Sequence, residues 1–408
     1  MNKVEVNGSK GYNISMYRGI ATMTLDTGRC PPWLFERMVK LNRELVRVLI
    51  EEYGPDEFVK RIGDPVWFQS LGIVSAFDFN ASGLTTILTA ALKEAIRGQE
   101  RDLGVFICGG KGKTSRKTPD QIHEWGEKLS LPESYVSNLA YNSRMAAKVD
   151  SALVQDGYQI YHHSFFFSLP RGSSGVKAGR NGTWTVVQQG MNISTQTARR
   201  YHWFSESVSD LVCEPHSGIA SQVFGKNVLN LVARESEQNR EISTQLVQAG
   251  YQTLWKDIRL LRKHFTPLSK MISLQKGREQ LTLLKLEDQE FRDHPVLEED
   301  FSKSKYLEKI FAKITYYQPE SYEKLLALEG VGPKTIRALA LVAEVVYGAA
   351  PSYEDPARYS FAHGGKDGTP YPIDRETYDE TIGMLERALR RTHLSLNEKG
   401  KALQRLSL

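Results

Sequence analysis

One stretch, Tyr158 to His216, constrains the chain more than any other. Two runs rich in aromatic and β-branched residues lie there. They are Tyr158-Gln-Ile-Tyr-His162-His163-Ser-Phe-Phe-Phe167 and Trp184-Thr-Val-Val-Gln188-Gln189-Gly190-Met191-Asn192, on either side of the turn-rich loop Pro170-Arg-Gly-Ser-Ser-Gly175. Such runs around a Gly/Ser loop read as a long hairpin. Successive side chains of a strand point to opposite faces, so His162 and His163 do not readily share one site, and neither do Gln188 and Gln189. The stretch continues through Arg199-Arg200-Tyr201-His202-Trp203 to Glu214-Pro215-His216 and holds four of the nine histidines.

Before the hairpin, alternation over residues 11–25 predicts a strand that ends in Asp26-Thr-Gly-Arg29. Pro31-Pro32 open a helix from about Trp33 to Tyr53, with Leu34, Met38, Leu41, Leu45, Val48 and Leu49 on one stripe. Gly54-Pro55 stops it, and a short helix of about 56–62 follows. Gly72-Ile-Val-Ser-Ala-Phe-Asp78-Phe-Asn80-Ala-Ser82-Gly83 reads as a buried strand running into a polar loop, then a helix to about Arg97. The next strand, Gly104 to Cys108, ends in Gly109-Gly-Lys111-Gly-Lys113-Thr-Ser-Arg-Lys117. Small residues and lysines at a strand end suit a phosphate cradle, since exposed N–H groups and ammonium groups both favour anions. The spacing is not that of a Walker A loop, and a flexible basic turn is the alternative.

Beyond about residue 226 glycine thins out and amphipathic helical patterns take over, at about 226–249, 251–263, 277–287, 301–314, 320–327 and 376–391. The expected architecture is therefore an α+β or α/β domain with a mixed sheet over residues 1–225. An all-α helix-hairpin-helix domain is expected over 226–408. A chain of 408 residues is too long for one ordinary core, which fits more than one domain. Cys30, Cys108 and Cys213 are scattered without paired spacing, so neither a disulfide framework nor a zinc knuckle is expected, and a reducing cytoplasm fits. No apolar run is long enough for a membrane span. The net charge of +5 permits nucleic acid as a partner without arguing for it.

A second landmark is Leu325-Leu-Ala-Leu-Glu329-Gly330-Val331-Gly332-Pro333-Lys334-Thr335. It resembles the helix-hairpin-helix motif of DNA-binding proteins. Glycines let the chain turn sharply between two helices, and the N–H groups that open the second helix point at a phosphate. Gly330, Gly332, Lys334 and Thr335 are the expected backbone contacts, and such contacts carry no base information. A plain αα-corner with a glycine turn is the alternative. The irregular segment Asp355 to Gly368 follows, long and rich in polar groups.

Several strings together resemble one family: Ala76-Phe-Asp78-Phe-Asn80-Ala-Ser-Gly-Leu-Thr-Thr86, Gly109-Gly-Lys-Gly-Lys113, Tyr161-His-His163, Val187-Gln-Gln-Gly-Met191, Ala198-Arg-Arg-Tyr-His-Trp203, Glu214-Pro-His216 and Ser360-Phe-Ala-His-Gly-Gly-Lys-Asp-Gly368. The chain is similar to the archaeal and bacterial proteins grouped as domain of unknown function seven-six-three, over almost its whole length. The family pattern has Trp-His where this chain has Phe79-Asn80. The resemblance implies no activity; the link to DNA comes from the hairpin.

Three function classes follow. The first is a metal-dependent DNA nuclease acting in repair or recombination. Its expected catalytic residues are Asp78, His162, His163, Gln189, Arg200 and His202, and its metal ligands Asp78, His163, Glu214 and His216. Carboxylates and imidazoles of this kind suit Mn²⁺, and carboxylates alone suit Mg²⁺. Lys111, Lys113, Lys117 and Arg199 would hold the phosphodiester. The second class is a DNA glycosylase, in which Asp355 or Asp374 would have to serve as the catalytic aspartate. The third is a non-enzymatic DNA-binding protein. The expected partner in all three is DNA, single-stranded or branched forms included, with a homodimer as a further expectation and no membrane.

Overall fold

The computed structural model describes residues 23–25, 30–75, 81–169, 182–264, 274–276, 279–281, 301, 304–357 and 375–406. In chain order its strands are β1 (Val105–Lys111), β2 (Val154–Gln155), β3 (Gln159–Ser168), β4 (Trp184–Asn192), β5 (Thr197–Phe204), β6 (His216–Ser221), β7 (Leu229–Asn230), β8 (Leu274–Lys276) and β9 (Glu279–Leu281). The helices are α1 (Pro32–Ile62), α2 (Pro65–Val74), α3 (Ala81–Ala95), α4 (Glu100–Leu103), α5 (Thr118–Lys128), α6 (Glu133–Ala152), α7 (Glu237–Gln248), α8 (Tyr251–His264), α9 (Lys305–Tyr317), α10 (Tyr322–Ala327), α11 (Pro333–Tyr347), α12 (Arg375–Arg391) and α13 (Leu396–Leu406).

The expected hairpin is β3–β4, and it lies at the centre of a five-stranded sheet of order β1-β3-β4-β5-β6. Every pairing in that sheet is antiparallel, which corrects the expected mixed sheet. The reason is local. A parallel neighbour needs a long crossover, whereas β4 and β5 are joined by a tight turn. In that turn Asn192 accepts hydrogen bonds from the N–H groups of Ser194 and Thr195 at 3.0 and 3.2 Å.

Helices cover both faces of the sheet. Phe165, Phe167, Val186, Tyr201 and Trp203 face α5, α6 and the helices beyond residue 230 in one core. Phe166, Val187 and Ile107 face α1, α2 and α3 in a second core, which α12 and α13 complete through Leu385, Leu389 and Ala402. All eight residues of β5 are buried, as a doubly covered strand requires. The first core runs on without a break past residue 226 to Leu325, Ile336 and Leu339 of α10 and α11. Lys148 of α6 ties those helices down by donating to the carbonyls of Leu326 and Leu328 at 2.7 and 2.6 Å.

Three local expectations are corrected. The buried strand read from Gly72 is the end of α2. Asp64 caps that helix, accepting from the N–H groups of Val66 and Trp67, and Pro65 occupies its first turn. This capping chemistry outweighs the apolar run that resembled a strand. The helix expected over 226–249 begins only at Glu237, because Leu229–Asn230 pairs with Val154–Gln155. Within the helix expected over 277–287, residues Glu279–Leu281 form a short strand with Leu274–Lys276. Gly54, at φ +86°, kinks α1 where the sequence breaks the helical pattern. The strand expected over 11–25 is described only at its end, where Thr24 bridges to Thr197.

Candidate functional site

The alternation of β3, β4 and β5 divides the expected catalytic residues between the two faces of the sheet. On the α6 face, His163 meets Ser143 Oγ at 2.9 Å through Nε2 and Gln188 Oε1 at 2.8 Å through Nδ1. Gln188 in turn donates to Asp150. Asp150 also accepts from Trp203 Nε1 at 3.2 Å and from His216 Nε2 at 2.6 Å. This is a buried carboxylate surrounded by three donors from three strands. Such an arrangement fixes α6 on the sheet, because each partner removed leaves a dry polar group.

The opposite face carries His162, Gln189, Arg200 and His202. His162 Nε2 lies 3.1 Å from both Thr89 Oγ1 of α3 and Ser164 Oγ. Gln189 donates to the Ser82 carbonyl at 2.8 Å and contacts Tyr161 Oη at 2.5 Å. Arg200 reaches Gln69 and Thr85 and lies over the Phe68 ring. His202 Nδ1 is 3.1 Å from the Ile62 carbonyl. All four side chains are buried. Burial pushes His162 down to about 3, helped by nearby His163 and Lys111, so its imidazole is neutral at pH 7. Burial and Arg200 likewise hold His202 well below its ordinary value. Several buried polar atoms of this layer have no hydrogen-bond partner: His162 Nδ1, Gln189 Oε1, His202 Nε2 and Gln69 Nε2.

The remaining expected residues separate further. Asp78 lies outside the described residues, as do Asn80, Asp374 and the 358–374 segment. Glu214 lies before β6 at φ +46° and pairs with Arg234 at 3.5 Å near the surface. His163 and His216 are occupied as above. Among the described residues no group of three or more His, Cys, Asp or Glu side chains gathers for a metal. The described members of the expected Mn²⁺ or Mg²⁺ set therefore do not fit a divalent ion. Arg199, expected on a phosphate, is instead buried in an ion cluster. Its Nη1 meets Asp156 at 2.8 Å and Asp355 at 3.0 Å, its Nη2 meets Asp355 at 2.7 Å, and Tyr201 Oη donates to Asp156 at 2.6 Å. Burial pulls against its charge, but Asp156, Tyr201 and Asp355 together raise its pKa above the ordinary value.

Lys111, Lys113 and Lys117 are exposed along the end of β1 and the 3₁₀ turn over Gly112–Lys117 that follows it. Beside them a groove of about 760 Å³ opens between α1, α3 and the end of β1. Arg43, Lys93, Arg97 and Lys111 line it, against Glu36 and Glu94. Arg97 is paired with Glu94. The others are not ion-paired among the described residues: Arg43 donates to the Ala95 carbonyl at 3.0 Å, Lys93 to the Gly109 carbonyl and Gln121 Oε1, and Lys111 lies 5.8 Å from the Tyr161 ring centre. Ser164 and Thr89, the two hydroxyls on His162, line the same groove. Burial lowers the Lys93 pKa. Cations held by neutral oxygens in a concave surface suit a phosphoryl group. Arg43, Lys93, Thr89 and Ser164 escaped the sequence reading. Each sits inside an amphipathic helix or an apolar strand run, and only the packing of α1, α3 and β3 brings them together.

The second landmark forms two helices joined by a tight turn. Gly330 has φ +89°, and a Cβ there would lie 2.5 Å from Ile310 of α9. Tyr306 Oη of α9 donates to the Gly330 carbonyl at 2.5 Å. Gly332 caps α11 in extended conformation, and Lys334 lies half-exposed in the first turn. The Thr335 side chain is fully buried, so any contact it makes with a phosphate is through its N–H rather than its hydroxyl. No described helix is long and apolar enough to cross a membrane.

No curated protein matches this chain, and no solved structure matches it. One family model does, over residues 19–373, which is most of the chain: it belongs to the family described as protein of unknown function (DUF763).

Proposed function

We propose that this chain is a DNA-processing protein that grips the phosphate backbone through the turn between α10 and α11. One observation carries the reading. Gly332 has φ −147° and ψ −171°, and among the described residues nothing lies within 4 Å of the position its Cβ would take. Nothing among the described residues needs glycine there, whereas a ligand backbone approaching the N–H groups of α11 does. The first turn of α11 holds no acidic residue. A phosphate at that end would take charge-assisted hydrogen bonds that owe nothing to base sequence.

The test is Gly332→Asp. Asp is among the favoured residues before a helix, and the position has room, so the melting temperature holds or rises. The new carboxylate stands where the phosphate would be. Duplex affinity should fall about tenfold or more, the loss of one charge-assisted hydrogen bond, and equally for unrelated sequences. Unchanged affinity would remove the turn from the interface.

A second reading, a phosphodiester-cleaving enzyme of DNA repair or recombination, is favoured by the groove. Arg43, Lys93 and Lys111 line it together with Ser164, and have no ion-pair partners among the described residues. Labelled single- and double-stranded DNA incubated with Mn²⁺, with Mg²⁺ and with EDTA separates the classes. Backbone cuts support the enzyme, base loss supports a glycosylase, and binding alone supports a non-enzymatic role.

A further inference from the structure

The face of α9 next to the hairpin combines exposed aromatic and basic side chains. At 100° per residue, Lys305, Tyr306, Lys309, Lys313, Tyr316 and Tyr317 fall within one third of the helix circumference. The opposite side carries Leu307, Ile310, Phe311 and Ile314, all buried. Tyr316 is 83% exposed, Tyr317 58% and Tyr306 51%. These are unusual values for tyrosines on a helix whose other face is core. An aromatic ring left in water is normally covered by something. The rings of Tyr316 and Tyr317 lie edge to face, with centres 5.5 Å apart. Tyr306 touches the hairpin itself, through its bond to Gly330.

We infer that this face is a platform for unpaired DNA, on which bases stack against the tyrosines while the lysines follow the phosphates. The inference rests on the hairpin reading and names the form of nucleic acid. Charge complementarity sets the occupant. Three lysines interleave with three aromatics, and the one acidic neighbour in ion-pair contact among the described residues is Glu329, 3.2 Å from Lys313. Glu329 is 95% exposed, so a phosphate displaces it without cost in burial. Glu308 of the same helix points away from the stripe and lies 3.4 Å from Tyr251 Oη. From Tyr306 to Tyr316 the axial distance is about 15 Å at 1.5 Å per residue. A strand at about 3.4 Å per nucleotide crosses that distance in about four steps. A duplex has its bases stacked already and offers the rings nothing, so the platform favours single strands, tails or the unpaired arm of a branched molecule. With the hairpin holding the adjoining duplex, a junction between paired and unpaired DNA would engage both.

The experiment uses the full chain and three fluorescent oligonucleotides: a single strand, a blunt duplex, and a duplex with a single-stranded tail. The variant is Tyr316→Ala/Tyr317→Ala, whose side chains are exposed and whose loss leaves the core intact. Single-strand affinity should fall about tenfold or more, as expected when base stacking is removed. Blunt-duplex affinity should stay within about twofold, and tailed DNA should lose its advantage over the blunt duplex. Tyr316→Trp/Tyr317→Trp should restore single-strand binding. Unchanged single-strand affinity, or an equal loss on single strand and duplex, overturns the inference. A change in sedimentation mass with no change in DNA binding also overturns it, and makes the face an interface between two copies of the chain. Gly332→Asp run in parallel keeps the two readings apart. If it weakens duplex binding while the tyrosine variant does nothing, the hairpin stands and the platform falls.

Discussion

Arg199 and Asp355 are 156 residues apart and form a two-point ion pair, with Nη1 to Oδ1 at 3.0 Å and Nη2 to Oδ2 at 2.7 Å. Both side chains are almost wholly buried. The pair ties β5 of the central sheet to the segment that follows α11, and Asp355 also accepts from the Gly225 N–H at 2.6 Å. An aspartate so engaged is poorly placed to act as a catalytic residue.

Asp355→Ala should therefore lower stability rather than chemistry. Asp156 still pairs the guanidinium, so the cost is that of leaving its Nη2 and the Gly225 N–H without this acceptor, about 1–3 kcal/mol. A urea melt should show a lower midpoint, with DNA affinity unchanged per folded molecule. Full stability with loss of a base-release activity would make Asp355 catalytic instead.

Asp150→Ala should also be damaging, since it strands Gln188, Trp203 and His216 together. A loss of about 3 kcal/mol or more is expected, and Asp150→Asn should lose less by keeping one acceptor. Retained stability with abolished cleavage, in a nuclease assay, would give Asp150 a direct part in the reaction.

Stability should fall on acidification. Burial holds His162 at about 3 and lowers His163 and His202 in the same direction. The unfolded chain takes up these protons near 6.5. Between about 6.5 and about 3 the unfolded state thus binds more protons, so the contribution is full above 6.5 and is lost as pH falls through that window. His162 adds a slope of about 1.4 kcal/mol per pH unit across that window, and His163 and His202 act in the same direction. Denaturation midpoints from pH 7 to 4 check this, and His162→Gln should reduce the slope by about one proton. A pH-independent midpoint would mean that these imidazoles are hydrated.

The basic groove makes a separate prediction. Arg43→Ala/Lys111→Ala should weaken binding of a short oligonucleotide. The slope of log affinity against log salt should fall by about one for each phosphate that the variant no longer neutralises. An unaltered salt slope would exclude the groove from the path of the nucleic acid.

Glycines at the groove edge should differ sharply. A Cβ on Gly109 would lie 2.2 Å from the His163 carbonyl at φ +88°, whereas Gly112, at φ +63°, has open space. Gly109→Ala should cost about 2–5 kcal/mol and loosen the β1–β3 edge, and Gly112→Ala only about 1–2 kcal/mol. Similar melting curves for the two variants would show that β1 yields easily.

The sequence by itself determined what local chemistry fixes. The hairpin follows from alternation and a Gly/Ser loop, the split of His162 from His163 from the two-residue period, and the tight turn at Gly330 from glycines between two helical patterns. These are relationships between near neighbours in the chain. Tertiary structure decided the rest. Arg199 reads as a phosphate ligand until Asp156 and Asp355 close on it, and only folding brings Asp355 within reach. His216 and Asp150 meet because β6 packs beside β5 over α6. Arg43, Lys93 and Ser164 become neighbours only when α1 and α3 cover the sheet. Local pattern says which way a side chain points; burial and long-range pairing decide whether its charge meets a partner in the core or is left for a ligand.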